Sequence, residues 1–372
     1  MRIAINATNI SAGGGLNHLL RFFENIENHI DETDVFVLWG RANVLKKVTD
    51  KQFIIKKTNR FINSNTLIRS IWVKFYLKSF LKKDKCEVLY NPGGNDLSGF
   101  KPLITMSRNM LPFELMLLLK EVDLLMFLKM SITRLITEFN FKKASGIIFI
   151  SNHALAKNQK FKKKSIVIHH GVDRSFFKRK IASRASLYSK KNPLKIVYPS
   201  SFYKYKNHNI ILDSLNSLPN NIYIELTLVG DLRTANKGLL KRFENFYREN
   251  IKIKLINELN HSDLNIVYDN ADVGLFASKC ENLPNILLEM ISKGLPILSS
   301  NYGSNIEVLG SNGFYFKMND AKDLENKILI IYRSERLRNQ LSENNYVISQ
   351  NYDWNETINK TLNYIKLKAK SV

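Results

Sequence analysis

The feature that most constrains this chain is a repeated alternation of short apolar runs with longer stretches of helical periodicity. Arg2–Asn6 reads as a strand, and a glycine run at Gly13–Gly15 follows it. Leu16, Leu19, Leu20, Phe23 and Ile26 then recur every three or four residues, which predicts a helix beginning directly after the glycines. Asp34–Leu38, Glu87–Tyr90, Ile147–Ile150 and Ile166–Ile168 continue the strand series. From Phe176 to Pro193 the chain is polar, basic and aperiodic. The alternation then restarts, with strands at Lys195–Tyr198, Glu225–Val229, Ile251–Leu255, Val273–Ala277 and Pro296–Ser299. Helices are expected at His208–Leu218, Lys237–Glu249 and Asn285–Lys293, and a last one at Trp354–Leu367. Such a pattern predicts parallel sheets joined by right-handed crossovers. The 372 residues exceed the roughly 250–300 that a single core accommodates. Two α/β domains are therefore expected: residues 1–175, a linker at 176–193, residues 194–350, and a closing helix within 351–372.

Composition narrows the function classes. At 44% hydrophobic residues the chain can bury a core, which excludes global disorder. Its two cysteines, Cys86 and Cys280, stand far apart and outside any metal-ligand spacing. A disulfide scaffold and a zinc module are thus excluded, and a reducing compartment fits. His153, His169, His170 and His208 lack metal-ligand partners at useful spacing and read as structural. The formal charge is +23, with most of the excess in residues 1–180, densest at Lys82–Lys85, Lys162–Lys164 and Lys178–Lys180. An anionic partner for the first half is implied. There is no aromatic RNA-binding motif, GXXG clamp or Cys/His finger, so nucleic acid is not expected. Met110–Ile136 is the most apolar stretch, but Lys120, Glu121, Asp123, Lys129 and Arg134 interrupt it, so it does not read as a spanning helix. Leu115, Leu118, Leu119, Leu124, Leu125 and Leu128 form a wide apolar face amid basic residues. Such a helix packs in a core or lies in an anionic membrane interface.

The chemistry concentrates in Cys280-Glu281-Asn282-Leu283-Pro284-Asn285-Ile286-Leu287-Leu288-Glu289. It follows the strand Val273–Ala277, and Pro284 predicts a helix start. Glu281 then sits in a loop at the carboxyl end of a strand, where ligands bind in open α/β sheets. Glu289 sits more than a turn into the helix. A helix N-terminus offers free N–H groups to a diphosphate, and the carboxylates offer acceptors to sugar hydroxyls. Gly294-Leu295-Pro296, Gly303-x-x-x-Glu307 and Gly313 follow in order.

With these motifs the sequence resembles the retaining glycosyltransferases of the GT-B fold, family 4, also called group 1. The likeness is best from about Leu194 to Lys327 and includes Val229-Gly230-Asp231 and Ala271-Asp272-Val273. Ser151, Ile168–Asp173 and Phe177 resemble the family's domain-joining segment. The resemblance implies two Rossmann-like domains with parallel sheets facing across a cleft, and a C-terminal helix returning toward the N-terminal domain. It implies a nucleotide-sugar donor, such as a UDP- or GDP-sugar, on the C-terminal domain, with no obligatory metal. Glu289 would bind the ribose and Glu281 would face the donor sugar. Asn282 and Leu283 would approach sugar and phosphate through their backbone, and Lys206 would neutralise the diphosphate. A fixed cation there stabilises the charge that develops on the leaving group. Gly14 and Gly15 would meet the donor phosphate, since glycine lets backbone approach a ligand closely. The spacing GxGxxG is not met, because His18 occupies the last position, which disfavours an NAD enzyme.

Two positions depart from the family. The Arg usual about six residues before the Lys is replaced at Ser200-Ser201, leaving Ser201 as a donor contact; Lys204 is a substitute at a different spacing. Where the family carries His-Asp, this chain has Arg108-Asn109. Arginine stays protonated and cannot act as a general base. Arg108 would instead hold a donor hydroxyl or the diphosphate, or tether its loop. The implied reaction is sugar transfer to an acceptor hydroxyl with the anomeric configuration kept. The charge and the apolar helix point to a lipid-linked glycan or lipopolysaccharide acceptor, handled in the cytoplasm or on the inner membrane face. The alternatives are a catalytically degenerate nucleotide-sugar-binding subunit and a GT-B sugar-nucleotide epimerase.

Overall fold

The structure is a computed structural model and describes residues 1–177 and 188–370, apart from the side chain of His261. It forms two compact units. The first comprises residues 1–115, 124–171 and 353–372; the second comprises 116–123 and 172–352. The chain passes from one to the other at Gly171–Val172 and returns at Tyr352–Asp353. Much of the expected linker, including the basic triplet Lys178–Lys180, lies outside the described residues.

The first unit is built on a seven-stranded sheet ordered β3-β2-β1-β4-β5-β6-β7. Its strands are β1 Arg2–Ala7, β2 Val35–Gly40, β3 Ile54–Lys57, β4 Val88–Asn91, β5 Leu103–Ser107, β6 Gly146–Phe149 and β7 Ser165–Val167. Every pair is parallel, with Ile3 beside both Phe36 and Val88. The second unit holds a six-stranded parallel sheet ordered β10-β9-β8-β11-β12-β13. Here the strands are β8 Leu194–Pro199, β9 Ile224–Val229, β10 Ile251–Ile256, β11 Val273–Phe276, β12 Ile297–Ser300 and β13 Phe314–Phe316. Both are the doubly wound order, reversing between β1 and β4 and between β8 and β11; ligands bind at the carboxyl ends of strands at such reversals. Ile3, Ala4 and Ile5, like Ile196, Val197 and Tyr198, are fully or nearly fully buried. That uninterrupted burial is what a parallel sheet covered on both faces demands.

Several elements differ from expectation. Strands β3, β5 and β13 were not legible. β3 and β13 are short edge strands of four and three residues, too short for a strand periodicity to register. The glycine triplet is not a loop ahead of a helix; it is the first turn of the helix Gly13–Asn25, opened by Gly13 at φ +63°. Pro284 is the cap of the helix Asn285–Ser292 rather than its first residue. The apolar stretch is not one helix: it breaks into Leu115–Glu121 and Leu124–Lys143. Of the apolar face, Leu118 is buried while Leu119, Leu124, Leu125 and Leu128 are exposed.

The closing helix runs Trp354–Lys370 and belongs to the first unit. Ile358, Leu362 and Ile365 are buried, Thr357 Oγ1 donates to His169 O at 2.8 Å, and Tyr364 Oη donates to Lys164 O at 2.7 Å. Gly171 is required at the crossing: a Cβ there would lie 2.4 Å from the Trp354 nitrogen.

Candidate functional site

At the reversal of the second sheet, the loops leaving β8 and β11 meet. Lys279 N donates to Tyr205 O at 2.9 Å, tying them together. Lys206 is set on the first loop by Tyr198 Oη, which donates to its carbonyl at 2.9 Å, and by Asn207 in the left-handed conformation at φ +67°. Asn tolerates that conformation better than most residues. From this position Lys206 Nζ reaches Glu281 Oε1 at 2.5 Å, with both side chains about 15% exposed. Burial alone would lower the Lys206 pKa; the Glu281 carboxylate outweighs it and holds the ammonium above its ordinary value. A cation that stays charged at neutral pH is thus fixed at a strand terminus.

Glu289 lies in the fifth position of the helix Asn285–Ser292 and is 6% exposed. Tyr268 Oη donates to its Oε2 at 2.9 Å. Burial raises its pKa to about 8, against the Tyr268 bond and with added repulsion from Asp173. Asn282 and Leu283 are buried in the turn between the two acids. The cap residue Pro284 offers no side-chain acceptor to the first N–H groups of the helix. Ser201 is half-buried beside Gly230, which has room for no side chain: a Cβ would sit 2.1 Å from Ser200 O.

Lys204, weighed as a substitute for the absent arginine, has other partners here. Its Nζ donates to Lys120 O at 2.7 Å and lies 3.8 Å from Glu121. Glu121 also pairs with Lys279 at 2.8 Å. Residues 116–123 cluster with the second unit although they come from the first half of the sequence. Sequence reasoning missed Glu121, Lys279 and Tyr268. No local pattern joins Glu121 to Lys279, and Tyr268 lies on the helix His261–Asp269, which was not foreseen.

Arg108, Gly14 and Gly15 lie in the first unit, at its own sheet's carboxyl edge. Arg108 follows β5, and its Nη2 donates to Gly14 O. Burial lowers its pKa to about 10, so it stays cationic at neutral pH. The helix beginning at Gly13 has no side-chain cap at Ala12. Glu114, a few residues on, pairs with Lys157 at 3.1 Å and approaches His153 at 3.5 Å. Among the described residues no group of three or more His, Cys, Asp or Glu is arranged to hold a metal, and no helix is long and apolar enough to cross a membrane.

The second unit thus joins two acids, a fixed lysine and an uncapped helix start at one sheet reversal. Residues 179–347 match the family model for Glycosyl transferases group 1. An uncharacterized glycosyltransferase, MJ1178 of Methanocaldococcus jannaschii, is 25% identical over 57% of the chain and 56% of its own length. The capsular polysaccharide biosynthesis glycosyltransferase CapH of Staphylococcus aureus is 29% identical over 44% of the chain and 45% of its own. The chain therefore spans about half the length of these curated relatives. Anabaena Alr3699/HepE, solved with UDP-glucose, superposes over 100% of both chains with a TM-score of 0.69 at 16% identity. That similarity is one of fold, two Rossmann-like domains with parallel sheets.

Proposed function

We propose that the protein is a retaining glycosyltransferase of family 4 that moves a sugar from a nucleotide-sugar donor to an acceptor hydroxyl. The observation that carries this reading is the Lys206–Glu281 pair at the β8/β11 reversal, with buried Glu289 on the adjoining helix. In this reading Glu289 accepts hydrogen bonds from the ribose, and Asn282 and Leu283 present backbone to sugar and phosphate. Lys206 trades part of its contact with Glu281 for the diphosphate, neutralising the charge that builds as the bond to the sugar breaks. Glu281, partly released, accepts from a sugar hydroxyl. The diphosphate departs from the face on which the acceptor arrives, with no protein nucleophile and no metal. Gly14, Gly15 and Ser201 are further donor contacts.

The acceptor is proposed to be a lipid-linked glycan or another surface-polysaccharide intermediate, presented at an anionic membrane face. The relative CapH, a capsular polysaccharide biosynthesis enzyme by name, supports the polysaccharide part. The helix Leu124–Lys143 supports the membrane part. Its exposed residues include Leu124, Leu125, Leu128, Ile132, Leu135 and Phe139, between 50% and 79% exposed and spaced along one face. Lys129, Lys142 and Lys143 are exposed on the same helix, and none of its exposed residues is acidic. Apolar area with a basic rim suits an anionic bilayer surface.

A thermal-shift screen of nucleoside diphosphates and their sugars tests the donor assignment, because a ligand that binds only the folded state raises its melting temperature. At least one compound should stabilise the wild type and fail to stabilise Glu289→Ala. A panel with no effect on the wild type, or an equal effect on the variant, would reject the assignment.

A further inference from the structure

The first unit carries a second exposed apolar surface, on residues 66–83. Helix Thr66–Trp72, a π-helical turn Val73–Leu77 and helix Lys78–Lys83 run on without a break. One side of this rod is core: Trp72, Val73, Leu77 and Leu81 are buried. The other side is not polar. Leu67, Ile68, Ile71, Phe75 and Tyr76 are between 41% and 71% exposed, and Leu67, Ile71 and Phe75 stand four apart along one stripe. Lys74, Lys78 and Lys82, exposed and also four apart, form a stripe beside it, with Lys74 Nζ 5.3 Å from the centre of the Phe75 ring. Residues 66–83 hold five lysines and arginines and no aspartate or glutamate.

The sheet fixes where this surface points. In β2, Phe36 packs on Phe22 and Phe23 of the helix Gly13–Asn25, while Trp39, three residues on, packs on Trp72 and Phe80. In β6, a Cβ on Gly146 would meet Tyr364 of the closing helix, while Phe149, three residues on, packs on Phe141 of the helix Leu124–Lys143. Residues three apart on a strand face opposite sides of its sheet. His18 against Trp354, at 5.4 Å, puts the helix Gly13–Asn25 and the closing helix on one side. Residues 66–83 and the helix Leu124–Lys143 therefore share the other side, as right-handed crossovers require. Three strands separate β2 from β6, so the strands they pack on are about 20 Å apart.

An apolar patch of this size turned to water marks a binding surface. A second copy does not fit it, because two-fold pairing would bring two acid-free basic stripes together. An anionic bilayer fits both stripes: its acyl boundary takes the apolar one and its headgroups take the lysines. We propose that residues 66–83 are a membrane-contact surface turned the same way as the helix Leu124–Lys143, so that the first unit lies on an anionic bilayer with this side of its sheet facing the lipid. This surface adds to the membrane part of the proposed function and rests on residues of its own.

Vesicles of phosphatidylcholine, alone or mixed with phosphatidylglycerol, test it. The three tryptophans, Trp39, Trp72 and Trp354, are buried, so a tryptophan introduced by Phe75→Trp or by Leu128→Trp reports its own surroundings. Mixed vesicles should shift the emission of both variants to the blue, and neutral vesicles should shift neither. Ile71→Asp with Phe75→Asp, and separately Lys74→Gln with Lys78→Gln, should each reduce flotation with mixed vesicles several-fold. All four positions are exposed, so the fold survives, which a circular-dichroism melt checks. Joined to Leu125→Asp with Leu135→Asp, the first pair should abolish flotation, because two contacts made at once bind far more tightly than either alone. The deficit of the lysine pair should close at high salt. A blue shift at position 128 and none at 75 overturns the proposal and leaves the membrane reading of the helix Leu124–Lys143 standing. A shift at 75 and none at 128 sustains the proposal and ends that reading. No shift at either position, or a wild-type dimer that Ile71→Asp with Phe75→Asp takes apart, overturns it.

Discussion

The two sheets share one strand order, yet their reversal points are furnished differently. In the second unit the charges are paired in advance: Lys206 with Glu281, Lys279 with Glu121, and Glu289 with the Tyr268 hydroxyl. In the first unit Arg108 is held by a neutral group, the Gly14 carbonyl, at the glycine-built start of a helix, with its Nη1 buried and making no hydrogen bond. A paired cation keeps its charge and position at little cost and can be redirected when a ligand offers better partners. A buried cation held only by a carbonyl is compensated less completely. Under the proposed function, the second unit's donor site is thus preassembled.

The sharpest way to break that comparison is at Glu289. Glu289→Ala should weaken nucleotide binding by about 100-fold or more, read by titration calorimetry, since it removes the buried carboxyl on the site's helix. Next comes Lys206→Ala, which should lower the transfer rate by about 100-fold while the variant still folds. Steady-state kinetics with a circular-dichroism melt check both, and wild-type turnover would remove Lys206 from the mechanism. Gly230→Ala should cost about 1–3 kcal/mol in denaturant unfolding, because its methyl must displace the Ser200 carbonyl. An unchanged midpoint would show that this loop is free to move.

The pH dependence sharpens the same contrast. Glu289 has a folded-state pKa of about 8 against an ordinary 4.5, so folding favours its protonated form. Its contribution to stability is complete below about 4.5 and is lost as pH rises through 8. Nucleotide binding, which needs the carboxylate as acceptor, should tighten over the same upper range. Glu289→Gln should flatten both profiles; a slope that persists belongs to another group. The smallest effect is expected for Leu125→Asp with Leu135→Asp, which should reduce flotation with anionic liposomes several-fold and leave titrations of soluble donors unchanged. Wild-type protein that fails to float at low salt would end the membrane reading.

Much of this was legible in the residues. Strands β1, β8 and β11 hold short apolar runs and β9 alternates apolar with polar residues, and parallel pairing follows from the helices between them. The pattern Glu281 to Glu289 is local, so loop, helix start and both acids could be read from spacing. Edge strands β3 and β13 were hidden because four and three residues are too few for a period to show. Trp354 against His18 and His170, and Glu121 between Lys204 and Lys279, join residues more than 80 positions apart, and no periodicity encodes them.

By itself, then, the order of residues determined the alternating architecture, the position of the acidic loop and helix, and the surplus of positive charge in the first half. Only the tertiary structure decided which of those charges are answered. Whether a lysine meets a carboxylate, or an arginine a carbonyl, depends on how crossovers bring distant strand ends together, and electrostatic energy depends on that distance and on burial rather than on separation along the chain.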